Sequence, residues 1–280
     1  MQSTSFRDRL DATQQRTGSA LCVGLDVDSR RLPAGLQPDR TGIQAFIRGI
    51  VSATSDLVCA YKPNLAFFEA MGPIGYAVLE DALSVIPSGI ITIADGKRGD
   101  IGSTAERYAA AMFEELGFDS ATINPYQGAD GIEPYIANPS RGVFLLCKTS
   151  NPGSADFQDL LCDDHGERRP LYEVVARRAV EWNAHGNVGL VVGATFPEQL
   201  ARIRALAPEL PFLIPGVGTQ GGDAEDAIRL GATSNGRLAV VNVSRQVLYA
   251  SSGPDWEVAA RREALVLRDT MRGALARAQS

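Results

Sequence analysis

Eight short apolar runs, spaced along the whole chain, limit what this sequence can fold into. They cover residues 20–26, 57–62, 89–95, 120–124, 142–148, 187–193, 211–216 and 238–243. Most are continuous rather than alternating, the pattern of parallel strands buried on both faces. Helical patterns separate most of them, clearest over 41–53, 104–116, 171–184, 197–207 and 223–230. A leading helix is expected over 5–16 and a long closing one over 257–276. Ser103 with Glu106, and Thr195 with Glu198, have the spacing of capping boxes. Gly117 and Gly231 are expected stops. Strands alternating with helices predict an α/β fold. The count of eight points to a (β/α)8 TIM barrel filling residues 1–280 as one domain, ahead of an open doubly wound sheet.

Composition supports this and excludes other classes. The 280 residues are 45% hydrophobic, enough for a large core, and the net charge is only −6. Mild acidity argues against nucleic acid and anionic lipid as partners. No apolar run approaches the roughly 18 residues of a membrane span, and the first ten residues hold no apolar signal core. Cys22, Cys59, Cys147 and Cys162 form no C-x-x-C pair, and three lie in strand-like runs, as expected of reduced thiols in a cytoplasmic protein. His185 precedes Gly186 at an expected helix end, where the dipole favours it, and His165 sits in a polar loop. Tyr126, Trp182 and Trp256 are expected to pack. No cluster has metal-ligand spacing, so chemistry falls to carboxylates and lysines. The polar stretch 149–170 reads as one long irregular loop after the fifth run, a length more often functional than idle.

Barrel chemistry belongs at the C-terminal ends of the strands, and those ends carry charge here. The third run leads into Asp95-Gly96-Lys97-Arg98-Gly99-Asp100. On an extended strand Asp95 and Lys97 face the same side, while Gly96 and Gly99 let the backbone turn and carry Asp100 away. With Lys62 from the second run, an alternating Lys–Asp–Lys–Asp array becomes possible. Spacing alone also fits an ion-pair network that closes a rim. Lys97, set between carboxylates, is a candidate proton donor or fixed cation rather than a Schiff-base nucleophile.

The seventh run leads into Pro215-Gly216-Val217-Gly218-Thr219-Gln220-Gly221-Gly222. It contains a literal G-x-G-x-x-G, but the next run ends in Asn242 with no ribose-reading carboxylate, so a dinucleotide is not indicated. A phosphate cradle fits better: backbone N–H groups and the following helix N-terminus attract an anion. Arg245, after the eighth run, is a candidate phosphate clamp or a rim arginine. Asp26 could cap a turn or accept from sugar hydroxyls. Ser150 and Gln220 are polar loop residues beside these ends.

Together, residues 94–104, 61–64, 148–153 and 215–222, with Asp26 and Arg245, resemble the orotidine 5′-phosphate decarboxylases, and more narrowly their longer bacterial subgroup. The resemblance runs from the first strand to the eighth. It implies a metal-free decarboxylation of orotidine 5′-monophosphate, with no organic cofactor. Lys62, Asp95, Lys97 and Asp100 would form the catalytic array, with Lys97 as proton donor to C6. Asp95 would repel the substrate carboxylate in the ground state. Asp100, Ile101 and Thr104 would reach the partner's site, implying a homodimer with shared active sites. Asp26 would contact ribose and Ser150 the pyrimidine. Gln220 and Arg245 would hold the phosphate with backbone at Pro215, Gly216 and Gly218. Ser244 stands where many relatives have glycine, and Pro63-Asn64 follows Lys62 in an unusual way. Magnesium-dependent sugar-phosphate decarboxylases and aldolases of the same superfamily share the Asp-x-Lys-x-x-Asp pattern and are the alternative. A catalytically dead phosphate-binding barrel is a third reading, disfavoured because all four charged positions are present.

Overall fold

The computed structural model describes residues 4–218 and 220–278. Thr219 of the glycine-rich loop and the first three residues of the leading segment lie outside it. Eight strands close a barrel: β1 (Leu21–Gly24), β2 (Ala60–Lys62), β3 (Ile91–Arg98), β4 (Ser120–Ile123), β5 (Gly142–Lys148), β8 (Val188–Val192), β9 (Phe212–Ile214) and β10 (Ala239–Val243). All neighbours pair in parallel, and β1 joins β10 with Cys22 opposite Asn242. The stretch 149–170 is not wholly irregular. It holds an antiparallel hairpin, β6 (Leu161–Asp164) and β7 (Glu167–Pro170), and Cys162 belongs to it. Charges on both hairpin strands hid that pairing behind the look of a polar loop.

The outer layer comprises α1 (Phe6–Thr17), α2 (Arg40–Thr54), α3 (Leu65–Glu69), α4 (Pro73–Ser84), α5 (Gly102–Ala110) and α6 (Glu133–Ile136). It continues through α7 (Leu171–Trp182), α8 (Pro197–Leu206), α9 (Ala224–Gly231), α10 (Arg245–Leu248) and α11 (Trp256–Ala278). Helices α3, α4, α6 and α10 had no clear sequence signal: three are only four or five residues long, too short for a periodic stripe to show. Neither expected capping box forms. The N-cap of α5 is Ile101 and that of α8 is Phe196, both without a side-chain cap bond, while Thr195 donates instead to the Ser150 carbonyl. Helix α7 ends at Trp182, so His185 lies beyond its last turn. Gly231 closes α9 for a packing reason, since a Cβ there would lie 2.2 Å from Ile214 Cδ1.

Two apolar cores follow from strand alternation. One face of each strand packs against the helices; the other fills the barrel. The interior cluster includes Cys22, Ala60, Ile93, Phe144, Leu213 and Val240, capped at the N-terminal end by Phe6 and Leu10 of α1. Phe6 meets Phe144 edge-on at 5.8 Å, and Gly142 leaves room for its ring. Gln14 fastens the plug, with Oε1 accepting from Leu238 N and Nε2 donating to Ala239 O. The barrel is thus filled from below, and its open end is the C-terminal one. Trp256 packs as expected, 5.0 Å from Phe46, whereas Tyr126 is 89% exposed.

Candidate active site

Continuing the inward positions of the interior core by two residues reaches the polar layer. Ala60 leads to Lys62, and Ile93 leads to Asp95. Both lie on the floor of a cavity of about 850 Å³ at the C-terminal mouth. Lys62 Nζ donates to Asp95 Oδ2 at 2.5 Å, Lys97 Nζ to Asp95 Oδ1 at 2.5 Å, and Thr122 Oγ1 to the same Oδ1 at 3.1 Å. Burial alone would raise the Asp95 carboxyl. The two ammoniums outweigh it and hold that group well below the usual carboxylate range. Burial also opposes the charge of Lys62, but Asp95 and Asp26 hold it above the usual lysine range.

Asp95 and Lys97 do meet, but not along a regularly extended strand. The β3–β4 register slips between Ala94 and Arg98, and Lys97 takes φ 47°, the left-handed region a non-glycine residue rarely enters. Its N–H donates to Thr122 Oγ1 at 3.0 Å, which anchors the kink. Neither Gly96 nor Gly99 supplies the turn. Gly96 is needed for space, since a Cβ would come 2.8 Å from Leu65 Cδ1. Thr122 was missed in the sequence because a strand threonine looks like an ordinary β-former.

Pro63-Asn64 has a structural reason. The Pro63 carbonyl accepts from Asp95 N at 3.0 Å, and Asn64 pairs beside Asp95, which carries the β2–β3 contact up to the site. Asn64 Oδ1 then caps α3 by accepting from Ala66 N. Asp26 also lines the cavity, and its Oδ1 is buried with no protein partner.

Ser150, Pro215, Gly216, Gln220 and Arg245 line the opposite side of the same cavity. Ser150 Oγ donates to Gln220 Oε1 at 2.9 Å, tying the loop after β5 to the loop after β9. Gly193 lets Ser150 approach, because a Cβ there would sit 2.7 Å from Ser150 Cα. Gly216 and Gly218 have φ of 98° and 78°, and a Cβ on Gly218 would strike Gln246 Oε1 at 2.2 Å. The N-terminus of α9 is not free for an anion. Asp223 caps it by accepting from Asp226 N, and Glu225 and Asp226 fill its first turn. On this side of the cavity the glycine loop and Arg245, rather than that helix, are left open to an anion. Ser244 is accommodated by Gly24, where a Cβ would fall 1.9 Å from Ser244 Oγ.

Asp100, Ile101 and Thr104 are not among the residues lining this cavity. Asp100 accepts from Ile101 N at 2.9 Å, and Ile101 is half exposed. Within one chain the array is Lys62, Asp95 and Lys97. Asn242 was read only as a missing carboxylate, yet it lines the cavity, as do Arg31 and Tyr249. Among the described residues no group of three or more His, Cys, Asp or Glu side chains could hold a metal ion. No described helix is long and apolar enough to cross a membrane.

Known proteins share this fold and much of this sequence. Residues 19–261 match the profile of the orotidine 5′-phosphate decarboxylase / HUMPS family. The chain is 50% identical over 272 residues to orotidine 5′-phosphate decarboxylase of Roseiflexus sp. strain RS-1, covering 97% of this chain and 98% of that one. It is 50% identical over 268 residues to the protein of the same name from Azoarcus sp. strain BH72, covering 95% and 98%. Among solved structures, the OMP decarboxylase of Leishmania donovani superposes with a TM-score of 0.84 at 39% identity, over 98% of this chain and 99% of that one. By sequence and by fold, the chain belongs to the orotidine 5′-phosphate decarboxylase / HUMPS family.

Proposed function

We propose that the protein is a carboxy-lyase of pyrimidine biosynthesis that converts orotidine 5′-monophosphate to uridine 5′-monophosphate and CO2. The observation that carries this reading is the Lys62–Asp95–Lys97 chain of ion pairs on the floor of a cavity whose far side is a glycine loop with Arg245. Breaking the C6–carboxylate bond leaves its electron pair on C6, with no good electron sink in the ring. The Lys97 ammonium, fixed by Asp95, stabilises that developing charge and then gives its proton to C6. Asp95, with both oxygens engaged, orients the two cations. The same carboxylate faces the substrate's own, a repulsion relieved as CO2 leaves.

Asp26, with an unpartnered buried oxygen, suits the ribose hydroxyls. Ser150 takes the pyrimidine. Gln220, Arg245 and the backbone at Pro215, Gly216 and Gly218 take the phosphate, whose remote binding energy orders the loops. Asp100, Ile101 and Thr104 complete the site of a second copy, which makes the working unit a homodimer. Their position outside the cavity of their own chain supports this. The whole chain is read as one domain, since β1 and β10 from its two ends pair directly. Four free cysteines, with burial pushing the Cys59 thiol up to about 12, suit a reducing cytoplasm.

The test is ultraviolet absorbance of orotidine 5′-monophosphate mixed with purified protein, with and without EDTA. Loss of the orotate band with formation of uridine 5′-monophosphate, unchanged by EDTA, is expected. No turnover by folded protein would move the reading to a magnesium-dependent sugar-phosphate enzyme, and turnover abolished by EDTA would overturn the metal-free mechanism.

A further inference from the structure

Lys148 is the last residue of β5 and is 1% exposed, yet the proposed chemistry does not use it. An ammonium withdrawn from water must find partners inside the protein. Lys148 Nζ donates to Asp159 Oδ1 at 2.7 Å and Ser154 Oγ at 3.0 Å, and it lies 4.6 Å from the centre of the Phe196 ring. Asp159 and Ser154 both belong to the segment that leaves β5 through Ser150. That segment also bonds back on itself, with Gln158 Oε1 accepting from Thr149 N at 2.9 Å. Ser150 is held from the other side, its carbonyl accepting from Thr195 Oγ1 at 3.0 Å. Phe157, at the bend, lines the cavity and is otherwise exposed. The loop therefore starts at Lys148, lines the cavity and returns to the Lys148 ammonium. Lifting it away would strand a buried cation, an outcome far worse than losing an exposed ion pair.

We propose that Lys148 is a positioning residue for the decarboxylation: its buried ammonium clamps the returning leg of segment 149–159 and so sets Ser150 against the pyrimidine and Gln220. The inference rests on the reading of Ser150 given above. Lys148 touches no substrate in this arrangement and acts through Ser150.

The experiment is a double-mutant cycle on kcat/KM for orotidine 5′-monophosphate, using wild type, Lys148→Met, Ser150→Ala and both together, each with a thermal melt. Lys148→Met is expected to lower kcat/KM about tenfold or more, chiefly through KM, with a cooperative melt retained. Ser150→Ala is expected to fall by about tenfold, and the double variant no further than the worse single one. Wild-type kcat/KM in Lys148→Met, or losses that multiply in the double variant, would overturn the proposal. If Ser150→Ala is silent, the reading of Ser150 fails, and the clamp falls with it. Should Lys148→Met not fold, Asp159→Ala removes the charged anchor of the returning leg while Ser154 Oγ still accepts from the ammonium. Asp159 is 41% exposed, so truncating it opens no core cavity, and the ammonium keeps one polar partner. An unchanged kcat/KM there also overturns the proposal.

Discussion

Lys62 and Asp95 form a 2.5 Å ion pair in which the two side chains are only 4% and 8% exposed. Such a pair resists the loss of one partner more than the loss of both, because a lone buried charge is left unsolvated. Lys62→Met is expected to destabilise the protein by about 3–5 kcal/mol and to abolish turnover, since Asp95 then has Lys97 alone to balance it. Asp95→Asn is expected to lose turnover as well, by releasing both ammoniums. Urea unfolding with parallel activity assays checks this. A Lys62→Met protein of wild-type stability would contradict the ion-pair account.

The same pair sets a pH window. Asp95 has its carboxyl lowered in the fold, so its stabilisation is present above the unfolded value of about 3.9 and is lost as pH falls through the folded one. Lys62 is raised, so its stabilisation is present below about 10.4 and is lost as pH rises through its folded value. Between about pH 5 and pH 9 the pair should therefore add no slope to stability. The double variant Lys62→Met with Asp95→Asn should lose less stability than wild type in strong acid and strong alkali. Identical pH profiles for the two proteins, read as urea midpoints, would sink this assignment.

Lys97 combines 47% side-chain exposure with a left-handed backbone. A side chain that exposed contributes little to folding, while its backbone stores strain. Lys97→Ala should remove turnover by on the order of 10³-fold or more while leaving the melting temperature close to wild type. Lys97→Gly should be as inactive, yet more stable than Lys97→Ala by about 1 kcal/mol, because glycine adopts φ 47° without a Cβ penalty. Near-normal turnover in either variant would remove Lys97 from the chemistry. Equal stability of the two would remove the strain.

The contrast between Lys97 and Lys148 shows what the sequence made legible. The barrel could be read because eight apolar runs repeat, and continuous runs bury on both faces. The polar layer could be read because each site residue sits at or just past the end of a run. What could not be read was local. The kink at Lys97 depends on the β3–β4 slip and on Thr122 beneath it, a contact across 25 residues. Thr195 looked like a cap, but tertiary context gave its hydroxyl to the Ser150 carbonyl. Lys148 was visible only as a strand-end residue, since the partners that bury it lie in a segment whose return path no spacing reveals. Periodicity reports which face of an element is buried, and it does not report which distant side chain meets a buried charge.

Arg245 stands exposed at the start of α10, on the cavity side. A guanidinium that clamps a phosphate contributes about 1.5–3 kcal/mol through charge-assisted hydrogen bonds. Arg245→Ala should therefore lower kcat/KM for orotidine 5′-monophosphate by about 10- to 100-fold, mostly through KM. The loss should vanish with orotidine, which lacks the phosphate, as substrate. An unchanged KM for the phosphorylated compound, or an equal loss with orotidine, would assign Arg245 elsewhere.

Asp100 and Lys97 are three residues apart, yet one lines the cavity of its own chain and the other does not. If Asp100 serves the site of a second copy, the two defects can complement each other. Asp100→Ala and Lys97→Ala are each expected to be inactive as homodimers. In a hybrid, one site combines Lys97 from the first subunit with Asp100 from the second and is intact, while the other carries both defects. Random exchange makes half of the dimers hybrid, and each hybrid has one working site of two. Equimolar mixing should therefore restore about one quarter of wild-type activity per site. Subunit exchange is verified separately with two distinguishable tags. Exchange without recovered activity would mean that Asp100 does not act across the interface, and the shared-site reading would have to be abandoned.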